Sequence, residues 1–144
     1  MKVLKFGGTS VGSPERIRGV IKIIQSQASP CVIVVSAFQG VTDELKQLSD
    51  LASQRNDDYR KLLQKITVKH LDFAGQLLKK TDIKEVNESI NKVFSGLIET
   101  LNGIYLLRES SKHSLELVLG TGEILSSLII SRMLDNCHYV DARE

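Results

Sequence analysis

Two short apolar runs near the start of the chain each end in small or polar residues. The first covers residues 1–6 and is followed by Gly7-Gly8, and the second, Cys31–Val35, is followed by Ser36. The first run is apolar-leaning and the second is continuous and β-branched, and we interpret both as strands buried on both faces of a parallel sheet. We therefore predict two buried parallel strands.

A helical pattern lies between these two strands. Ser13-Pro14-Glu15 supplies a capping residue, a proline suited to the first helical position and an acid in the first turn. Apolar residues then recur at helical spacing, at Ile17, Val20, Ile21 and Ile24. Because proline moves the preceding residue out of the α region, Pro30 should end the helix. The whole segment is predicted to be a βαβ unit with a right-handed crossover.

After the second strand the period of the apolar positions becomes helical. Three apolar stripes predict three helices, which cover residues 45–52, 59–78 and 86–105. Asp82–Lys84 is interpreted as the turn between the last two of these helices. A further helix is predicted to begin at Gly120-Thr121-Gly122, and Tyr139–Ala142 is predicted to form a third strand. This order of elements indicates the α/β class with a mainly parallel sheet.

Composition and charge narrow the functional classes. The chain has 144 residues, of which 42% are hydrophobic and 25% charged, as is typical of a folded domain. Nineteen basic and seventeen acidic residues leave a net charge of +2, and no basic cluster stands out, so we expect no nucleic-acid partner. Because the sequence shows no secretory signal pattern and no run of about 18 apolar residues, we expect a cytoplasmic protein without a membrane partner.

No repeat, low-complexity tract or linker divides the sequence. We therefore interpret residues 1–144 as one piece of a single domain. A parallel sheet of three strands is narrower than the sheets of about four to six strands that are common. On these grounds we expect the domain to need further chain.

The histidines and cysteines lack the spacings that indicate chemistry. His70, His113 and His138 are not accompanied by an Asp-His-Ser arrangement, and we interpret them as structural. Cys31 and Cys137 have neither CxxC nor histidine spacing. We interpret these two as buried, reduced thiols and assign no metal ligand.

The segment Lys5-Phe6-Gly7-Gly8-Thr9-Ser10 has the composition of a phosphate site. Glycines between a strand and a capped helix let the backbone approach an anion, and the helix N-terminus presents unpaired N–H groups. Lys5 adds a mobile positive charge, and Thr9 and Ser10 add hydroxyl donors. The spacing matches neither a P-loop nor GxGxxG. The alternative is that the glycines only make a tight turn and that Lys5 is an exposed charge.

Two further segments are candidates for the same ligand-binding edge. Ser36 and Thr42 follow the second strand, at the carboxyl end where open α/β sheets bind ligands. Glu123 lies at the predicted start of the last helix, and a partly buried carboxylate there would need a cationic partner. The alternatives are a loop hydroxyl for Ser36, a helix cap for Thr42 and a helix-dipole partner for Glu123.

Taken together, these segments resemble the aspartokinases of the amino-acid kinase family. The resemblance rests on Lys-Phe-Gly-Gly-Thr-Ser at residues 5–10, Val-Ser-Ala-x-x-Gly-Val-Thr at 35–42 and Gly-Glu at 122–123, and it spans the chain in order. Family members that act on other substrates share only a looser Lys-x-Gly-Gly or Lys-x-Gly. The resemblance implies a three-layer αβα fold with a mainly parallel sheet and a helical insert, with residues 1–144 as its N-terminal part and the second half absent.

The resemblance also implies an activity and a set of site residues. The activity is transfer of the γ-phosphoryl group of ATP, with Mg²⁺, to the side-chain carboxylate of L-aspartate, at the head of lysine, threonine and methionine biosynthesis. By position, the catalytic residue that stabilises the transferring phosphoryl group would be Lys5. The nucleotide phosphates would be bound by Gly7, Gly8 and Ser10. The substrate aspartate would be bound by Ser36, Thr42 and Glu123.

Two alternatives to this activity stay open at the level of sequence. One is a kinase of the same fold for another carboxylate or for a carbamate, and the other is a non-catalytic nucleotide-binding module. The start of the chain is common to monofunctional aspartokinases and to bifunctional aspartokinase/homoserine dehydrogenases. In either case the resemblance implies a homo-oligomeric full-length protein, and we expect the first half alone to be inactive.

Overall fold

The computed structural model describes residues 2–143, which form two strands and five helices. In chain order the elements are β1 (Lys2–Phe6), α1 (Pro14–Gln25), β2 (Cys31–Val35), α2 (Val41–Ser53), α3 (Asp58–Leu77), α4 (Lys80–Leu107) and α5 (Lys112–Ser131). The α/β class with a parallel sheet is confirmed.

The βαβ unit forms as the sequence predicts. Strands β1 and β2 pair in parallel, with Lys2 opposite Cys31 and Phe6 opposite Val35. Helix α1 begins at Pro14, and the side chain of Ser13 accepts a hydrogen bond from the backbone N–H of Arg16 at 3.3 Å. A serine cap followed by proline satisfies or removes N–H groups that the first helical turn cannot pair internally.

The sheet is covered on one face only within residues 2–143. Phe6 and Val35 pack against the hydrophobic core, whereas Val3 on the other face is 65% exposed. Val32 and Val34 are also exposed on that face. The prediction that both strands are buried on both faces is therefore wrong for this part of the chain, because among residues 2–143 only the face that carries Phe6 and Val35 packs against the core.

Helices α2 to α5 supply most of the core. Helix α5 contacts α2, α3, α4 and β2, and its buried positions include Leu125 and Ile129. Among the described residues it is the one helix that is long and apolar enough to cross a membrane by length and composition. Within the fold 39% of this apolar window is buried, so burial accounts for only part of its hydropathy.

Two predicted element boundaries are wrong. The turn between α3 and α4 lies at Leu78 and Lys79, so Asp82 is in the first turn of α4. An acid there is stabilised by the helix dipole, and the same residue type is common in turns, which misled the prediction. Helix α5 begins at Lys112 after a Ser111 cap, so Gly120-Thr121-Gly122 lies inside it.

The predicted third strand, Tyr139–Ala142, is irregular in the structure. Asp141 instead closes a local turn, because its carboxylate accepts hydrogen bonds from the backbone N–H of Arg143 at 3.1 Å and from its guanidinium at 2.6 Å. The Arg143 side chain accordingly lowers the pKa of Asp141. A side chain that bonds its own backbone two residues on competes with strand pairing.

Candidate functional site

The loop after β1, residues 7–12, is a tight turn with open donors; we call it the first loop. The carbonyl of Gly7 accepts hydrogen bonds from the N–H groups of Ser10 at 2.9 Å and Val11 at 3.3 Å. The N–H groups of Gly8 and Thr9 donate to no acceptor among residues 2–143. Consecutive N–H groups without internal partners form the kind of concavity that binds anions.

Helix α1 contributes less to this anion site than the sequence suggested. Its first residue is Pro14, which has no N–H group, and the N–H of Arg16 is already used by the Ser13 side chain. The Arg16 guanidinium turns back to the carbonyl of Thr9 at 3.0 Å. The open donors of the first loop therefore come from its own backbone rather than from the helix N-terminus.

Lys5 provides a cation beside the first loop. It is exposed and lies opposite Val34 in the sheet register, two residues before Gly7. No ion pair or hydrogen bond to its ammonium is found within the described residues. An unpaired ammonium on a flexible stem is free to meet an anionic ligand.

The loop after β2, residues 36–40, is held by the rest of the fold; we call it the second loop. The Ser126 hydroxyl of α5 donates to the carbonyl of Ser36 at 2.9 Å. The Lys69 ammonium of α3 donates to the carbonyl of Gln39 at 2.8 Å. Gly40 has φ of 82°, a left-handed conformation that favours glycine, and it caps α2.

Phe38 anchors the second loop in the core. Its side chain is 1% exposed, and its ring lies 4.8 Å from that of Phe73 and 5.3 Å from that of His70. Aromatic rings at such distances add to the free energy gained by burial alone. The second loop is thus positioned by a side chain inside the protein as well as by hydrogen bonds.

His70 is a core residue, which confirms its structural interpretation. It is fully buried, and its Nδ1–H donates to the carbonyl of Ile66 at 2.8 Å. Its Nε2 has no partner among the described residues. Burial lowers the pKa of His70 to about 4, so the ring is neutral near pH 7.

Helix α5 approaches the second loop at Gly122. A Cβ atom on this residue would lie 2.7 Å from the Cβ of Ala37, closer than two carbon atoms can approach. Gly122 therefore permits the contact between the helix and the loop, and Ser126 follows one turn later on the same helix face. This packing explains a glycine that the sequence pattern placed at the start of a helix.

Glu123 and Thr42 are placed differently from their predicted positions. Glu123 is exposed in the middle of α5, so it neither begins the helix nor needs a cationic partner because of burial. Thr42 is exposed in the first turn of α2, where the cap is Gly40. Both side chains remain open to a ligand.

The three predicted segments meet at one edge of the sheet. A Cβ on Gly8 would lie 3.3 Å from the carbonyl oxygen of Ala37, so the first and second loops touch there. Gly12 meets the side chain of Gln39, whose Oε1 would be 2.5 Å from an added Cβ. Because Gly122 also contacts Ala37, the second loop lies between the first loop and α5.

Sequence reasoning missed the residues that hold this arrangement. Ser126 and Lys69 bond to loop carbonyls that are 90 and 30 residues away in the chain. One local signal was present, because Gly122 and Ser126 are four residues apart and so share a helix face. No group of three His, Cys, Asp or Glu residues that could hold a metal ion is found in residues 2–143.

The fold and the two loops together indicate a class of protein that binds phosphorylated ligands. An α/β domain in which a loop with open backbone N–H groups and a lysine without a partner among residues 2–143 lie at the carboxyl end of a parallel strand is suited to binding a phosphorylated ligand. The sequence model of the Amino acid kinase family matches residues 1–140. The chain therefore belongs to the amino acid kinase family.

Several curated relatives are aspartokinases. The chain is 33% identical over 147 residues to the chloroplastic bifunctional aspartokinase/homoserine dehydrogenase 2 of Arabidopsis thaliana, and 32% identical to the Zea mays protein of the same name. In each case 99% of the chain is matched, and the chain spans 16% of the relative. The aspartokinase of Candida albicans is 31% identical over 139 residues, and the chain spans 25% of that protein.

Solved structures show the same fold. The E. coli aspartokinase III complex with lysine and aspartate (T-state) superposes with a TM-score of 0.82, covering 93% of this chain and 28% of the other. The complex of that enzyme with aspartate and ADP (R-state) gives a TM-score of 0.81. The sequence identity is 22% in both comparisons, so they carry the fold alone.

Proposed function

We propose that this chain is part of an aspartate kinase, which transfers the γ-phosphoryl group of ATP to the side-chain carboxylate of L-aspartate and forms 4-phospho-L-aspartate. The observation that carries the proposal is the meeting of the first loop, the second loop and α5 around Ala37. The three aspartokinase-like motifs lie in these segments. The similarity to named aspartokinases supports the choice of substrate.

The first loop is the proposed phosphate side of the site. The open N–H of Gly8, with Gly7 and the Ser10 hydroxyl, would bind the nucleotide phosphates, because backbone N–H groups and hydroxyls donate to phosphate oxygens. Lys5 would place its ammonium against the transferring phosphoryl group. A positive charge at that position stabilises the charge that spreads over the phosphoryl oxygens in the transition state.

The second loop and α5 are the proposed acceptor side. Ser36 and Thr42 would donate their hydroxyl groups to the carboxylates of aspartate. The exposed carboxylate of Glu123 would bind the substrate ammonium, which a simple dicarboxylate lacks. The rigid second loop suits this task, because holding a reactant in the attacking geometry lowers the entropic part of the barrier.

The proposed phosphoryl transfer is direct and needs no covalent enzyme intermediate. A carboxylate oxygen of aspartate attacks the γ-phosphorus, the bond to the β–γ bridging oxygen breaks, and ADP leaves. Mg²⁺ would accompany the nucleotide and neutralise phosphate charge. To this step the residues of the first and second loops would contribute hydrogen-bond donors, and Lys5 would contribute a positive charge.

The chain spans 16% of the plant relatives and 25% of the Candida albicans aspartokinase, so we propose the activity for the whole protein and not for this chain alone. We propose that the 144-residue chain alone is inactive and that the complete protein is a homo-oligomer acting in lysine, threonine and methionine biosynthesis. We also propose a cytoplasmic location. The plant relatives are named as chloroplastic, and fluorescence microscopy of the protein fused to a green fluorescent protein would distinguish the two locations.

A trapping assay tests the proposed function. The complete gene product is incubated with MgATP, hydroxylamine and one acceptor at a time, and the hydroxamate formed from the acyl phosphate is measured. We expect product with aspartate and at least tenfold less with glutamate or N-acetylglutamate, because a site that pairs a substrate ammonium discriminates against analogues without that group or with a different span. A preference for another acceptor, or nucleotide binding without turnover, would contradict the proposal.

A further inference from the structure

A lysine outside the proposed contact residues connects the helical region to the second loop. Lys69 lies on α3, and its ammonium donates to the carbonyl of Gln39 at 2.8 Å. Its side chain is 26% exposed, although lysine usually extends into solvent. The stem therefore packs along the protein while the charged end reaches a backbone carbonyl of the second loop.

The carboxylate of Glu44, on α2, lies beside the Lys69 ammonium. Glu44, in the first turn of α2, places its Oε2 3.9 Å from the Lys69 ammonium, and this oxygen is buried without a hydrogen-bond partner in the described part of the chain. The other oxygen of Glu44 accepts from Lys65 at 2.8 Å. Lys69 thus lies between a loop carbonyl and a partly buried negative charge, which favours one position of its ammonium.

Gln39 is also the point at which the second loop presses on the first. Its side chain lies against Gly12, where no Cβ could be added without moving it, and its Cα lies 3.9 Å from the position of a Cβ on Gly8. A displacement of Gln39 would therefore change the contact between the two loops as well as the second loop itself.

We propose that Lys69 is a positioning residue, which holds the Gln39 carbonyl so that the second loop stays in the conformation that receives the acceptor carboxylate and packs on the first loop. This inference rests on the proposed function for its kinetic consequence. Its structural consequence does not. Lys69 touches neither substrate in this proposal, and it acts through the backbone of residues 36–40.

The same helix offers a matched control. Lys65 lies one turn before Lys69, pairs with the same Glu44 and is 68% exposed, yet it makes no hydrogen bond to the second loop among the described residues. Lys65→Met and Lys69→Met each remove one positive charge from the surroundings of Glu44. A difference in loop exchange between these variants therefore reports the loss of the hydrogen bond to the Gln39 carbonyl, because both variants lose one positive charge near Glu44.

The first experiment measures amide hydrogen exchange by mass spectrometry in the complete gene product. We expect Lys69→Met to speed exchange in peptides covering residues 36–42 about tenfold relative to Lys65→Met, because a charged hydrogen bond to the loop is lost. Lys69→Arg should restore slow exchange, because its guanidinium can donate to the same carbonyl. Equal exchange in the two methionine variants would overturn the inference whether or not the protein is a kinase.

The second experiment separates the kinetic consequence. In the hydroxylamine assay we expect Lys69→Met to raise the KM for aspartate about five- to tenfold and to change kcat less than twofold, since the loss corresponds to one hydrogen bond acting on binding. Lys65→Met should leave both constants unchanged. If the wild-type protein turns over no acceptor, the proposed function fails while the exchange result still decides the role of Lys69. If turnover is present and KM is unchanged in Lys69→Met, the inference fails.

Discussion

The two loops at the carboxyl ends of β1 and β2 have opposite relations to the rest of the molecule. The first loop, residues 7–12, has backbone N–H groups without acceptors in residues 2–143 and lies beside Lys5, whose ammonium has no partner in the same range. The second loop, residues 36–40, is held by Ser126, by Lys69 and by the buried ring of Phe38. One loop therefore offers free donors, and the other offers a fixed shape.

This difference suits the two reactants of the proposed reaction. A nucleotide phosphate brings several charged oxygens that can organise flexible donors around themselves, so an open loop suffices. A small amino acid brings few contacts, and it must be oriented for attack by a surface that is already in place. We expect changes that disturb the second loop to alter both stability and activity, and changes at the first loop to alter activity alone.

The largest effect on stability is expected from the protonation of His70 behind the second loop. Its pKa is about 4 in the folded chain and near the ordinary 6.5 when unfolded, so the unfolded state binds more protons between these values. The stabilisation is complete above pH 6.5 and is lost as pH falls toward 4, by up to about 3 kcal/mol. Urea unfolding of the chain at pH 7 and at pH 4.5 measures the change.

A leucine variant isolates the histidine from other acid-titrating groups. His70→Leu removes the titrating ring and its unpaired Nε2, so the loss of stability between pH 7 and pH 4.5 should shrink to that of the remaining groups. The charged neighbours Lys69 and Glu44 are unchanged in this variant. An unaltered pH dependence would show that His70 is not the residue that destabilises the chain in acid.

A smaller effect is expected where α5 meets the second loop. Gly122→Ala places a Cβ 2.7 Å from that of Ala37, and the strain should destabilise the chain by about 1–3 kcal/mol. Gly120→Ala in the same helix meets nothing within 4 Å and should stabilise the chain by about 0.5–1 kcal/mol, because alanine favours helices over glycine. Thermal unfolding of the two variants compares them directly, and equal effects would mean that α5 does not press on the loop.

Much of the fold could be predicted from local patterns. The Ser13-Pro14 helix start and the parallel pair of Cys31–Val35 with β1 were correct because capping chemistry and β-branched runs act within a few residues. The start of α5 was misplaced because glycine is common at the ends of helices. Gly122 instead lies inside the helix, where the close approach of Ala37 from another part of the chain leaves no room for a Cβ.

The candidate site was predicted to a similar extent. Resemblance of short motifs led to Lys5, the glycines, Ser36 and Glu123, and the structure brings their segments together, while their roles stay proposals. The residues that support the second loop, such as Ser126 and Lys69, could not be found in this way. Their hydrogen bonds depend on the tertiary fold, and serine and lysine on helices have no distinctive spacing.

The smallest effect on stability, and the most direct test of the two-loop comparison, is expected at Lys5. Lys5→Ala removes an exposed side chain that has no partner within the described range, and it should change the free energy of unfolding by less than about 0.5 kcal/mol. Lys2→Ala is the matched control, because Lys2 is exposed on the same strand and its ammonium lies 3.5 Å from the Gln27 side chain, away from the first loop.

The deciding measurement is kcat for MgATP-dependent hydroxamate formation from aspartate by the complete gene product with each lysine replaced. We expect Lys5→Ala to lower kcat at least a hundredfold, similar to the loss of one donor to a developing charge, with unfolding unchanged. Lys2→Ala should retain wild-type kcat. Wild-type turnover in Lys5→Ala would contradict the assignment of the first loop and its lysine to phosphoryl transfer.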